Sequence, residues 1–166
     1  QITDRGAQVL ARSDKLTRLE VLNLYNNQIG DEGAQSLAKS KSLKRITTLN
    51  LNYNQVGDTG AQALAESSAL SNLETIELTY NRLGNEGLMA LKSFRFQRKL
   101  DVWHREGRLQ NLEKYYIGDM GVKLLLESPY IKEITHLNLS QNNLTDRAAV
   151  IIAQSPNVSH LKTLGL

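Results

Sequence analysis

Apolar and polar residues alternate in short stretches along this chain, and a segment with helical spacing follows each stretch. In residues 48–67, TLNLNYNQVGDTGAQALAES, Leu49 and Leu51 point to one side and the asparagines between them to the other, which is the period of a strand. Ala61 and Leu64 then follow at helical spacing. The pattern predicts a strand, a corner and a helix, a unit too small to bury its own apolar side.

The same unit returns at a regular interval. One apolar residue marks the corner of each copy, and these residues are Ile2, Ile29, Val56, Leu83, Ile117 and Leu144. They are 27 residues apart, except for the 34 residues between Leu83 and Ile117. Six copies at a fixed period predict a solenoid with stacked parallel strands on one side and helices on the other. We expect a single α/β domain over residues 1–166, irregular over residues 93–116.

Polar residues repeat with the same period, and each column has a physical interpretation. An acidic or amide residue stands where each helix begins and is predicted to cap that helix as its N-cap: Asp4, Asp31, Asp58, Asn85, Asp119 and Asp146. A glycine in the first turn of most copies predicts a close approach between neighbouring repeats. A third column is predicted to form a ladder of amides that bonds the corner backbone: Asn27, Asn54, Asn81 and Asn142.

These residues resemble a known family. Residues 19–29, LEVLNLYNNQI, follow the pattern L-x-x-L-x-L-x-x-N-x-[IL], and with it the chain resembles leucine-rich repeats of the ribonuclease-inhibitor-like subclass. The resemblance implies a horseshoe-shaped α/β solenoid with parallel strands on the concave face and helices on the convex face. It also implies a protein that holds another macromolecule, most often a protein, against the concave face.

The irregular stretch allows two registers for its strand. We place the strand at Leu100 and Val102, with a shortened helix before it and a long loop after it; the rival register uses Leu109 and Leu112. Residues 95–114 hold six basic and three acidic residues, which equals the net charge of +3 of the whole chain. The stretch is interpreted either as a binding loop or as a solvated defect of the repeat.

Residues between the strand leucines are expected to face outward and to line the inner surface in columns. The first column is Asn23, Asn50, Glu77, Asp101 and Asn138. The second is Tyr25, Asn52, Thr79, Trp103 and Ser140, and the third is Asn26, Tyr53, Tyr80, His104 and Gln141. Aromatic and arginine side chains dominate binding surfaces. The predicted partner-binding residues are therefore Tyr25, Asn52, Tyr53, Thr79, Tyr80, Arg98, Trp103, His104 and Arg105.

Other function classes find little support in the sequence. The chain has no cysteine, which removes disulfides and thiolate chemistry and favours a cytoplasmic location. His104, His136 and His160 lie in different repeats without companions at metal-ligand spacing, so we predict no metal, no cofactor and no catalytic centre. No apolar run is long enough to span a bilayer.

The sequence thus predicts a protein–protein interaction module. One alternative is a regulator of an enzyme such as a small GTPase, as the resemblance allows. Another is an anion- or nucleic-acid-binding role of residues 95–114, which we expect to be weak and salt-sensitive because the rest of the chain is close to neutral. Neither end shows a polar cap, so we expect a fragment of a longer protein, or end-to-end self-association of exposed repeats.

Overall fold

The computed structural model of the protein describes residues 1–166. Helices and very short strands alternate along the chain, as the repeat predicts, except that no strand separates α4 from α5. The helices are α1 (Asp4–Arg12), α2 (Asp31–Ala38), α3 (Asp58–Ala65), α4 (Asn85–Arg105), α5 (Gly118–Glu127) and α6 (Asp146–Gln154), with a 3-10 helix at Pro129–Glu133. The strands are β1 (Val21–Asn23), β2 (Thr48–Asn50), β3 (Thr75–Glu77), β4 (His136–Asn138) and β5 (Thr163–Gly165).

The chain divides into two compact units, Gln1–Arg95 and Phe96–Leu166, called unit 1 and unit 2 below. In unit 1 the strands β1, β2 and β3 form a parallel sheet in which Leu22, Leu49 and Ile76 are register partners. In unit 2 the strands β4 and β5 pair in parallel, and a bridge joins Asn111 to β4. The predicted stacking of repeats as adjacent parallel rungs is confirmed within each unit.

Each unit has its own apolar core, built from the inward residues of strands and helices. Leu49, Leu51 and Leu64 are at most 1% exposed in unit 1, and Leu125 and Leu139 are fully buried in unit 2. Strand leucines and helix leucines of one repeat therefore meet between the two layers, and copies above and below close the core. This shared burial stabilises repeats that could not fold alone.

The corner asparagines form the predicted ladder. The Nδ2 group of Asn54 donates to the carbonyl oxygens of Leu51 in its own repeat (3.1 Å) and Leu24 in the preceding one (2.9 Å), while its Oδ1 accepts from the backbone N–H of Ile29 (2.9 Å). Asn142 makes the equivalent bonds in unit 2. One buried amide thus satisfies corner groups of two successive repeats.

The column of aspartates acts differently from the prediction. Asp31 is the first residue of α2, and its Oδ1 accepts from the backbone N–H groups of Gly57 (2.7 Å) and Gly60 (2.9 Å), which open α3 in the next repeat. Asp4 and Asp58 make the same pair of bonds to the repeats that follow them. The prediction that each aspartate caps its own helix is wrong, because the carboxylate faces the unpaired N–H groups of its neighbour.

The glycine in the first helical turn makes room for that carboxylate. A β-carbon at Gly60 would lie 2.6 Å from Oδ1 of Asp31 and 3.0 Å from the β-carbon of Ala34, both in the preceding repeat. The predicted close approach of repeats is present, and what approaches is an acidic side chain rather than backbone. The aspartate and glycine columns therefore form one device that joins successive helices.

The irregular repeat contains a long helix instead of an early strand. Helix α4 runs without interruption from Asn85 to Arg105, so the predicted strand at Leu100 and Val102 is wrong. Leu100 is fully buried in unit 2 as a helical residue. The strand position is taken by Asn111, and the N–H of Leu112 donates to the carbonyl oxygen of Asn138 (2.9 Å), which agrees with the Leu112 position of the rival register. Helix α4 has 21 residues, whereas α2 and α3 have eight each.

Candidate functional site

The outward face of the unit 1 sheet carries polar and aromatic side chains. Asn23, Asn50 and Glu77 are register partners in the three strands, and they form a column across the sheet. Tyr25, Asn52 and Thr79 stand two residues further along each rung, on the same face. The rungs then end at Asn26, Tyr53 and Tyr80. Parallel pairing in register therefore places residues from three repeats side by side.

Three tyrosines from successive repeats touch one another, and we call Tyr25, Tyr53 and Tyr80 the tyrosine row. The ring centroids of Tyr25 and Tyr53 are 5.1 Å apart in an edge-to-face arrangement, and those of Tyr53 and Tyr80 are 4.3 Å apart and stacked. All three remain accessible, with exposed fractions of 50%, 43% and 68%. The contacts hold the rings together, while their outer surfaces stay available for contact with another molecule.

Two of these tyrosines have a left-handed backbone. The φ angle is +57° at Tyr53 and at Tyr80, and the same position of the rung is left-handed at Asn26, Lys114 and Gln141. The conformation thus belongs to the corner of this repeat. Asparagine adopts it with less strain than an aromatic residue does, so tyrosine at two successive corners is a costly choice for the backbone.

The side chain of Asn52 links the middle of this surface to β3. Its Oδ1 accepts from the backbone N–H of Thr79 (2.7 Å), and its Nδ2 donates to Oε2 of Glu77 (3.1 Å). These two bonds fix the orientation of the amide and hold the half-buried carboxylate of Glu77 in place. The predicted residues Tyr25, Asn52, Tyr53, Thr79 and Tyr80 are thus brought together on one face.

The pKa of the Tyr53 hydroxyl is raised above its ordinary value. Desolvation by the neighbouring rings is the largest cause, followed by hydrogen bonding with Tyr80 and by the proximity of Tyr25. The phenol is neutral at physiological pH with or without this shift.

Trp103 is not part of the tyrosine row. It lies in α4, half-buried in unit 2, where its ring packs edge-on against Phe96 (5.9 Å between centroids) and Tyr115 (4.8 Å). Its assignment to the sheet column beside Thr79 is wrong, because residues 85–105 are helical. Tyr115 occupies the corner position three residues after Leu112, where regular repeats carry the ladder asparagine. An aromatic pair therefore packs at the corner where the other repeats have an amide.

The assignment of His104 and Asp101 to the sheet columns is wrong for the same reason. Nε2 of His104 lies 2.9 Å from Oε2 of Glu133, and its ring stacks on Tyr130 with centroids 4.2 Å apart. The Tyr130 hydroxyl donates to Oδ1 of Asp101 (2.7 Å), and this bond, with burial, raises the pKa of Tyr130. These contacts join α4 to the 3-10 helix, so His104 has a structural role in unit 2.

The basic segment neutralises much of its own charge. Nε of Arg98 lies 3.2 Å from Oδ2 of Asp101, and Nε of Arg105 donates to the carbonyl oxygen of Asp101 (3.4 Å). Arg108 pairs with Glu106 at 3.2 Å, and Lys114 pairs with Glu113 at 3.4 Å. Half of the six cations of residues 95–114 thus have an acidic partner nearby, which weakens the case for an anion-binding role.

The residues that belong in the sheet columns of the irregular repeat were missed by the sequence analysis. Asn111, Glu113 and Lys114 hold the positions that had been given to Asp101, Trp103 and His104. Counting back five residues from the corner residue Ile117 would have found the strand leucine, because that spacing is constant in the regular repeats. Glu77 was assigned to its column, but its bond to Asn52 could not be foreseen.

No group of three or more His, Cys, Asp or Glu side chains is arranged to hold a metal ion. None of the helices combines the length and the hydropathy that crossing a bilayer requires.

Comparison with known protein families agrees with the fold. A family model described as leucine-rich repeats in two copies matches residues 17–66, and a leucine-rich repeat model matches residues 69–92 and 134–153. The matches together span more than half of the chain, and the stretch between 92 and 134, which contains the C-terminal part of α4, lies outside them. No curated protein matches the chain. With helices and short parallel strands stacked in register, the chain belongs to the leucine-rich repeat family.

Proposed function

We propose that this protein binds a partner protein on the strand face of unit 1, with the tyrosine row at the centre of the contact. Leucine-rich repeat domains generally mediate protein–protein interactions. The observation that carries the proposal is three mutually packed, exposed tyrosines on one surface. Tyrosine provides a large contact area at little cost in rotamer entropy, which is why it dominates the energetic centre of many interfaces.

The surroundings of the row fit this role. Asn52 and Thr79 hold each other through a hydrogen bond and present polar groups beside the rings. Apolar rings with a polar margin are the usual composition of a protein interface. The strand face also belongs to the regular, well-packed part of the fold, so the surface is held in place before a partner arrives and loses little entropy on binding.

The alternatives receive less support. Arg98 and Arg105 contact Asp101 within their own helix, and the proposed binding face does not include them. Trp103 and His104 are committed to packing in unit 2. No feature of the strand face selects a GTPase. Binding without chemistry is therefore the function that the geometry favours.

The proposal is tested with substitutions that remove the rings without straining the corner. Tyr53→Asn and Tyr80→Asn place at these left-handed positions the residue that Asn26 already supplies in the first repeat. The protein should fold normally by circular dichroism, and each change should weaken partner binding by about 2 kcal/mol, the usual contribution of a central aromatic residue. Binding is measured by capture of partners from an extract, followed by titration of the purified partner.

Tyr116→Asn is the matched control. Tyr116 is 72% exposed, lies in unit 2 and has the same left-handed backbone as Asn143 in the next repeat. It should leave capture unchanged. Partners that bind the Tyr53→Asn/Tyr80→Asn protein as well as they bind the unchanged protein would refute the proposal.

A further inference from the structure

The strand rungs of unit 1 contain acidic residues but no basic ones. The three rungs, residues 20–26, 47–53 and 74–80, contain three glutamates and no lysine, arginine or histidine, although the chain carries a net charge of +3. Glu20 lies 3.7 Å from Arg45, and both of these side chains are well exposed. Glu74 and Glu77 have no cation within ion-pair distance. Of the three glutamates, only Glu77 belongs to the outward columns of the sheet. Glu20 and Glu74 precede β1 and β3 at the other end of the rungs, and Lys92 and Arg95 line a pocket with Tyr80.

Glu77 differs from the other residues of its column. In the other rungs, the column asparagine accepts a hydrogen bond at Oδ1 from the backbone N–H two residues further along the chain, and this bond stabilises the end of the strand. These residues are Asn23, Asn50 and Asn138. In the third rung this N–H belongs to Thr79, and it donates to Asn52 of the preceding repeat instead. The carboxylate of Glu77 is thereby released from the structural bond that the column otherwise makes.

The released carboxylate keeps most of its hydrogen-bonding capacity. It accepts one bond, from Nδ2 of Asn52, while an ionised carboxylate can accept about four. It is half-buried, so its charge is screened less by water than that of a fully exposed side chain. Asn52, which holds it, directly precedes Tyr53, so the carboxylate belongs to the same surface as the tyrosine row.

The outermost ring of the row offers a second feature for the same kind of ligand. Tyr80 is stacked on Tyr53 on one side and is 68% exposed. The open face of a tyrosine attracts a cation, and an arginine guanidinium additionally stacks flat against it. A guanidinium also donates two parallel hydrogen bonds to a carboxylate, which the compact ammonium of lysine does not do.

We propose that the tyrosine row and Glu77 recognise an arginine-bearing segment of the partner protein, with one guanidinium at the Glu77 carboxylate and apolar or guanidinium groups against the open faces of the rings. This inference rests on the proposed function, because it names the chemistry of the partner at the same surface. The Glu77 carboxylate carries it: a guanidinium supplies the positive charge and the hydrogen-bond donors that this half-buried group lacks. The occupant is thus an arginine-bearing segment of protein.

Random peptides displayed on phage provide the test, with the full chain as immobilised target. Peptides are selected twice, once on the unchanged protein and once on the Tyr53→Asn/Tyr80→Asn protein, and only those lost with the tyrosines are analysed. We expect this group to be enriched in arginine over the unselected library. Glu77→Gln should weaken an arginine-containing peptide about ten-fold, because a charge-assisted hydrogen bond is lost. Glu32→Gln, which changes the net charge equally on helix α2, should leave affinity unchanged.

The outcomes separate this inference from the proposed function. Peptides that depend on the tyrosines but carry no excess of arginine would overturn the inference and leave the proposed binding face intact. An equal loss of affinity in Glu77→Gln and Glu32→Gln would also overturn it, since general attraction would then replace a specific contact. Selected peptides that all bind independently of the tyrosines would overturn both. A loss of affinity for the arginine-containing peptide at higher salt supports the ion pair between its guanidinium and Glu77.

Discussion

Replacing Asp31 with alanine should destabilise the repeat that follows it more than the helix in which it lies. The side chain accepts two hydrogen bonds from the first turn of α3, from Gly57 at 2.7 Å and from Gly60 at 2.9 Å. Hydrogen bonds to a charged group contribute roughly 1.5–3 kcal/mol each when buried, and loss of a helix cap costs about 0.5–2 kcal/mol. Asp31 is half-buried, and water replaces it in part.

We therefore expect the free energy of unfolding to fall by about 2 kcal/mol in Asp31→Ala. Asp31→Asn keeps an oxygen acceptor without the charge and should lose about half as much. Asp14→Ala is the control, because Asp14 is exposed and contacts only Lys15. Urea unfolding followed by far-ultraviolet circular dichroism measures the difference, which corresponds to a shift of the midpoint by about 1 M for a typical dependence on urea.

Hydrogen exchange identifies the helix that is affected. The account predicts faster exchange of the amides of Gly57 and Gly60, whose acceptor is removed, and little change in the first turn of α2. If exchange quickened only within Asp31–Ala38, the aspartate would be capping its own helix and the account of the joint between repeats would be wrong.

Three further changes test other parts of the structure. The pKa of Asp119 is lowered by hydrogen bonds from the hydroxyl and the N–H of Thr145. Its contribution to the free energy of unfolding is therefore present above the unfolded pKa of about 4 and is lost as pH falls through the folded pKa. Asp119→Asn should make the free energy of unfolding less sensitive to acid when it is measured between about pH 3 and 6. Gly60→Ala should lower the melting temperature, because overpacking against Asp31 costs about 1–3 kcal/mol and outweighs the higher helix propensity of alanine. An increase in the melting temperature would contradict the close approach of the two repeats. Asn54→Ala should destabilise by about 3 kcal/mol in urea unfolding, and a loss below 1 kcal/mol would show that water replaces the amide.

Much of the fold could be predicted from the repeat itself. The alternation around Leu49 and Leu51 and the helical spacing at Leu64 recur in register, so one unit predicts the others. The amide ladder was predicted because a buried corner needs a side chain that both donates and accepts. The direction of the aspartates could not be predicted, because Asp31 begins its own helix, while the N–H groups that it binds lie 26 and 29 residues further on.

The irregular repeat shows where the pattern stops being informative. Leu100 and Val102 have the spacing of a strand pair, but the same residues also continue the helix that begins at Asn85, and a spacing of two cannot distinguish a short strand from part of a helix. This error moved Trp103 and His104 onto the sheet face. Tyr53 and Tyr80 share a predicted column, and their rings stack because both residues lie in regular repeats. Their role in binding stays a prediction.

A photo-cross-linking amino acid placed at Tyr80 tests the central claim most directly. Tyr80 is the most exposed ring of the tyrosine row, and Tyr116 and Val150, which are 72% and 51% exposed, serve as control positions in unit 2. After irradiation with the captured partner, the account predicts a covalent adduct from position 80 and none from positions 116 and 150. Adducts from either control position, with none from position 80, would show that the partner binds elsewhere.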